Sequence, residues 1–216
     1  MNLIQEHQKN QNDNLGVMSP LTLIQKSQSL CDQEIDNLVD KINNGTEWNE
    51  QFNAIQKIIG LINGGALNFK NFRDAISRIN VGIQKAIQNV RFTLVKQACS
   101  LIITLAQNLG PKFDKTFGNE IIIPLAEHTM NGTQAIADCC KFSLLNISRY
   151  CQTTSILSTL CVLATSKLPC NRQVSSECFC VVLDCWSRPA IEKNIELLKS
   201  SLIQLLKDSN HDVRCY

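Results

Sequence analysis

Eleven cysteines and three histidines are the residues of this 216-residue chain that could do the most chemistry. A thiolate beside an imidazole makes a nucleophile pair, and thiolates gathered at a knuckle hold zinc. His7 lies in a polar amino-terminal stretch, His128 closes a helical segment in Glu127-His128-Thr129, and His211 sits far beyond both. No G-x-S-x-G, phosphate-loop or dinucleotide-binding glycine pattern accompanies them, so the sequence argues against an enzyme and requires no cofactor. Cys170, Cys178, Cys180 and Cys185 fall within sixteen residues, yet not as two C-x2-4-C pairs. On a helix of 3.6 residues per turn, Cys178, Cys180 and Cys185 point by turns to different faces, and Cys139 and Cys140 diverge by about 100°. We expect no metal, and thiols that pack as small buried hydrophobes.

Composition narrows the partners. Lys and Arg number 21 against 19 Asp and Glu, a net charge of +2. That is too little for electrostatics alone to hold a nucleic-acid backbone, so nucleic acid is not an expected partner. The 21 Asn and 16 Gln nearly match the 40 charged residues, so amides cover much of the solvated surface and charge-driven binding must be local. No run reaches the ~18–20 apolar residues of a membrane span, and the polar start lacks the apolar core of a signal peptide. With cysteines distributed through apolar stretches, the sequence reads as a reduced, intracellular chain.

The elements that must position any site are helical. Residues 1–18, rich in Gln and Asn, have no sustained apolar face and read as a flexible tail. Ser19-Pro20 opens a leading element over 19–45, with a helix over about 20–42. From Thr46 onward helix openings near Thr46, Val90, Thr133, Arg172 and Asp212 recur at 44, 43, 39 and 40 residues, the ~40–47 period of HEAT and armadillo units. Each interval holds two helices: Phe52 to Ile62 with Phe69 to Ile87, Val90 to Leu105 with a partner around Ile121 to Leu125, Ala135 to Ile147 with Thr154 to Ala164, and Val174 to Trp186 with Ile191 to Leu206. Asn63-Gly64-Gly65 and Leu109-Gly110-Pro111 are stops. Asn44-Gly45-Thr46 recurs as Asn131-Gly132-Thr133, placing Thr as an N-cap at the same phase. The expected fold is all-α, an α-solenoid of HEAT-like hairpins over 46–216 preceded by one helix, with the fifth unit only opening before Tyr216.

Two tryptophans stand out. Trp48, in Gly45-Thr46-Glu47-Trp48-Asn49, either packs on the leading helix or stands exposed as an interface anchor. Trp186 closes an apolar helix before Ser187-Arg188-Pro189 and reads as core or cap.

The stretch Glu47 to Ile58, the Val90-Arg91 turn followed by Val95-Lys96-Gln97-Ala98-Cys99, and the turn Leu109-Gly110-Pro111-Lys112-Phe113-Asp114 together resemble a TOG domain, of the CLIP-associated protein (CLASP) and crescerin type. The resemblance spans about residues 46–216. It implies a paddle of HEAT repeats whose intra-repeat turns line one thin edge, and in tubulin-binding members that edge contacts α/β-tubulin. Carried over, the edge consists of Trp48, Arg91, Asn131, Thr133, Arg172 and Arg214. The function implied is a non-enzymatic module on tubulin or microtubules, in the cytoplasm and on the cytoskeleton, including cilium or spindle. The alternative is a HEAT-repeat adaptor of centrosomal, ciliary or trafficking type that binds other proteins without tubulin affinity.

Overall fold

A computed structural model describes residues 32–130 and 132–215. The tail expected over 1–18 and the first part of the leading helix lie outside the described residues. Among the described residues every regular element is a helix: α1 Asp32–Asn44, α2 Trp48–Asn63, a 3-10 turn Ala66–Asn68, α3 Lys70–Ile76, α4 Asn80–Ile87, α5 Phe92–Leu109, α6 Lys112–Thr116, α7 Gly118–His128, α8 Gln134–Tyr150, α9 Thr154–Ala164, α10 Pro169–Cys185, α11 Arg188–Lys193, α12 Ile195–Leu206 and α13 His211–Arg214.

They stack in two layers. The inner layer is α2, α5, α8, α10 and α13, each packed on the next, and the outer layer is α1, α4, α7, α9 and α12, neighbour on neighbour. Each outer helix also packs against an inner one, so the solenoid expected from the period is the fold. The leading helix, as far as it is described, is the first outer element. Its Ile35, Val39 and Ile42 are buried, and α1 packs on α2, α3 and α4.

The local reasons are legible. In α5, Leu94, Val95, Ala98, Leu101, Ile102 and Leu105 recur at three- and four-residue spacing and are all buried, a stripe wide enough to serve both layers. Gly110, at φ 53, ends that helix in a backbone conformation that favours glycine, and Pro111 follows. Gly64 and Gly65 (φ 87) end α2 likewise. Gly82 lets the outer helices meet, because a Cβ there would lie 2.4 Å from the Ile42 carbonyl oxygen. Around it Asn43 accepts from the Gly82 N–H at 3.0 Å and donates to the Arg78 carbonyl at 2.8 Å.

Several expectations are corrected. The helix expected from Phe69 to Ile87 is two, α3 and α4, broken where the Ser77 hydroxyl takes the Asp74 carbonyl at 2.6 Å in competition with the backbone ladder. The Ile191 to Leu206 helix is broken at Asn194, whose side chain donates to the Ala190 carbonyl at 2.8 Å. Val90, expected on the apolar stripe of α5, precedes the helix and is 91% exposed. Glu47, not Thr46, is the N-cap of α2, whereas Thr133 does occupy the N-cap position of α8. The two Asn-Gly-Thr turns also differ physically. A Cβ on Gly45 would meet the Lys41 carbonyl at 2.3 Å, while one on Gly132 would meet nothing within 4 Å. Finally, α10 begins at Pro169, so Arg172 lies inside its first turns and not in the turn before it.

Candidate functional site

The turns that carry the chain from an outer helix to an inner one include the described residues 45–47, 88–91, 129–130, 132–133, 165–168 and 207–210. Because neighbours within each layer pack side by side and every hairpin runs the same way, these turns line up on one edge. The returns from inner to outer helix line the opposite edge.

At the first two turns the edge has a defined geometry. Trp48 is the first residue of α2, half-buried, with its ring against the apolar core. Arg91 is the N-cap of α5 and exposed, its guanidinium carbon 5.1 Å from the centre of the Trp48 ring. A guanidinium at that distance is attracted by the electron-rich face of the indole. The backbone sets the direction: the Arg91 N–H donates to Asn89 Oδ1 at 2.9 Å, which folds the turn. Among the described residues the Arg91 guanidinium makes no ion pair.

The other predicted cations serve the turns themselves. Arg172 Nη1 donates to the carbonyls of Ser166 and Lys167 at 2.9 and 3.1 Å, and its Nε and Nη2 reach the two oxygens of Asp208 at 2.6 and 3.1 Å. Both side chains are largely buried, and the bidentate pair pulls the Asp208 carboxyl below its ordinary range. Arg214 Nη1 donates to the carbonyls of Asp208 and Ser209 at 2.5 and 3.0 Å. Arg73 repeats the device on the carbonyls of Leu67 and Asn68 at 2.7 and 2.9 Å. In each case the guanidinium clasps carbonyls five and six residues earlier and closes the turn. Arg172 and Arg214 therefore shape the fourth and fifth turns. Thr133 stands at the N-cap position of α8 and is exposed, and Asn131 lies outside the described residues.

Sequence reasoning missed what those turns display. Val90, Met130 and Leu168 stand exposed by 91%, 57% and 46% on the three turns that follow the one at Trp48. Lys167 and Lys207 are exposed on the fourth and fifth turns. The available signal was position: with the hairpins phased from α1, these residues fall between layers. The edge is thus an apolar row beginning at an indole, flanked by Arg91, Lys167 and Lys207. Such a surface offers apolar anchors and sparse positive charge to an acidic partner.

Trp186 is both core and cap. It ends α10, is 6% exposed, and its Nε1–H donates to the Ser148 carbonyl at 2.7 Å. Burial pushes the thiols of Cys151 and Cys178 up to about 12, while Cys180 and Cys185 are partly exposed. Among the described residues no three His, Cys, Asp or Glu side chains gather to hold a metal ion. One thiol and imidazole do meet: Cys215 Sγ is 3.4 Å from His211 Nδ1, a four-residue helical spacing that the sequence reading passed over. Both are exposed to solvent.

The chain matches the family described as CLASP N terminal over residues 31–216. It is 22% identical over 169 residues to CLIP-associating protein 1-B of Xenopus laevis and 24% identical over 175 residues to the CLIP-associated protein of Arabidopsis thaliana; each alignment covers 78% of this chain. It spans 12% of the length of each of those relatives. An uncharacterised protein of Dictyostelium discoideum is 26% identical over 176 residues, covering 81% of this chain and 21% of its own length. No described helix is long and apolar enough to cross a membrane.

Proposed function

Since this chain belongs to the CLASP N-terminal family, we propose that it is a non-enzymatic module of the cytoplasm and cytoskeleton that binds tubulin or the microtubule lattice through the edge of its inter-layer turns. The observation that carries this reading is the Trp48–Arg91 pair at the head of an exposed apolar row. The indole supplies buried contact area at little entropic cost, and the stacked guanidinium meets a carboxylate already oriented. The apolar row gives affinity, and Arg91, Lys167 and Lys207 orient an acidic partner.

The test is size-exclusion chromatography of the full chain with purified tubulin at low salt, at on the order of tens of micromolar protein, where a modest single-module affinity is populated. A complex that forms with the native chain and is lost with Arg91→Glu is the expected result. No co-elution under those conditions sinks the proposal.

The internal engagement of Arg172 and Arg214 favours a second reading, an adaptor whose turn edge binds an apolar partner other than tubulin. In that case the turn-edge variants leave tubulin behaviour unchanged.

A further inference from the structure

On the edge opposite Trp48, the short helices α3 and α6, each broken away from the longer outer helix that follows it, leave a groove of about 270 Å³ between them. Leu67, Ile76 and Leu109 make apolar walls, and Arg73, Lys112 and Lys115 stand around them. Lys112 and Lys115 are exposed and make no ion pair among the described residues. Arg73 is fixed by its two bonds to the Leu67 and Asn68 carbonyls, both from Nη1, so Nη2 and Nε remain available on a guanidinium held in place. The nearest acid in sequence, Asp114, turns away: its carboxylate lies beside Gly118, 3.5 Å from where a Cβ would stand, and it raises the Cys151 thiol on that side. Asp74 does not line the groove.

Three cations around an apolar cleft that no carboxylate lines among the described residues are complementary to one kind of ligand. We propose that this groove is a docking site for an acidic peptide segment of another protein, one that places an apolar side chain against Leu67, Ile76 and Leu109 and carboxylates against Arg73, Lys112 and Lys115. This chain's own residues 1–31 do not have that character, with Glu6 and Asp13 balanced by Lys9 and Lys26. A bare phosphate backbone would leave the apolar walls unused. The groove and the turn edge sit at opposite ends of α2 and α5, roughly 24 Å apart along a 16-residue helix, so ligands at the two sites do not overlap.

The experiment is fluorescence anisotropy with the full chain and a labelled peptide of six glutamates flanking one phenylalanine. A matched peptide with serine replacing the phenylalanine, and phosphatidylserine vesicles, are run beside it. The phenylalanine peptide should bind saturably and about tenfold more tightly than the serine peptide. The double variant Lys112→Glu, Lys115→Glu should weaken it at least tenfold, as should Thr116→Phe, which fills the groove without changing charge. Arg91→Glu should leave it unchanged. Melting temperatures confirm that the variants fold. Equal binding of the two peptides, insensitivity to the groove variants, no peptide binding, or capture by vesicles alone through the same lysines would each overturn the assignment.

Discussion

Arg91 lies across the indole of Trp48 at 5.1 Å, joining the first turn of the stack to the second over 43 residues of sequence. A cation over an aromatic face at a partly exposed site contributes about 0.5–1 kcal/mol. In a double-mutant cycle, Trp48→Ala and Arg91→Ala should therefore couple by about that amount in urea unfolding. Trp48→Ala alone should cost about 1–2 kcal/mol, less than the ~3–5 of a fully buried aromatic, because the ring is only half-buried. A coupling indistinguishable from zero would detach the pair energetically.

The turn residues divide into those displayed and those that shape the display. Val90→Asp, Met130→Asp and Lys167→Glu alter exposed positions and should leave stability within about ±0.5 kcal/mol, while weakening tubulin co-elution. Arg172→Ala should do the reverse in emphasis, destabilising the fold by about 2 kcal/mol or more through loss of charged hydrogen bonds. Tubulin binding indifferent to all three exposed changes would remove the edge from consideration.

Two glycines in different packing environments should respond oppositely. Gly82→Val drives a side chain into the Ile42 carbonyl and should destabilise by about 1–3 kcal/mol or more. Gly132→Ala meets open space and should be neutral or stabilising by about 0.4–1 kcal/mol through the unfolded chain. Thermal melts of the two variants decide the matter.

Acid should unlock the end of the stack. Arg172 lowers the Asp208 carboxyl chiefly through hydrogen bonding, so the folded chain holds the ionised form more tightly than the unfolded chain does. That contribution is complete above the ordinary carboxylate range near ~4 and is lost as pH falls through the lower folded value. Asp208→Asn should therefore be less stable at neutral pH and show a shallower loss below about pH 4. Parallel acid limbs for the variant and the native chain, followed by circular dichroism, would contradict this pairing.

Thiol reactivity should follow burial. Cys215 is exposed, whereas burial raises Cys151 and Cys178 to about 12, so at mildly alkaline pH few thiolates exist at the buried pair. Alkylation of the native chain with mass-spectrometric mapping should modify Cys215 first and leave Cys151 and Cys178 intact until unfolding. Early modification of Cys178 would mean that α10 opens.

What the sequence determined was what neighbours along the chain can settle. The spacing of Leu94, Val95, Ala98, Leu101, Ile102 and Leu105 specifies one helix face, Gly110-Pro111 ends it, and the ~40-residue recurrence specifies a stack, because each signal acts within a few turns of helix. What the tertiary structure decided was which side chains remain free. Arg91 and Arg172 both follow a predicted turn, yet Arg172 is claimed by Asp208, 36 residues on, while Arg91 lies over the Trp48 ring, 43 residues back, and makes no ion pair among the described residues. Val90 and Met130 look like core by residue type and stand in solvent by placement. The phase of the hairpins was likewise set by α1 packing on α2 and α4. A local pattern encodes the turn, but the use of each side chain depends on partners that only layer-on-layer packing brings within reach.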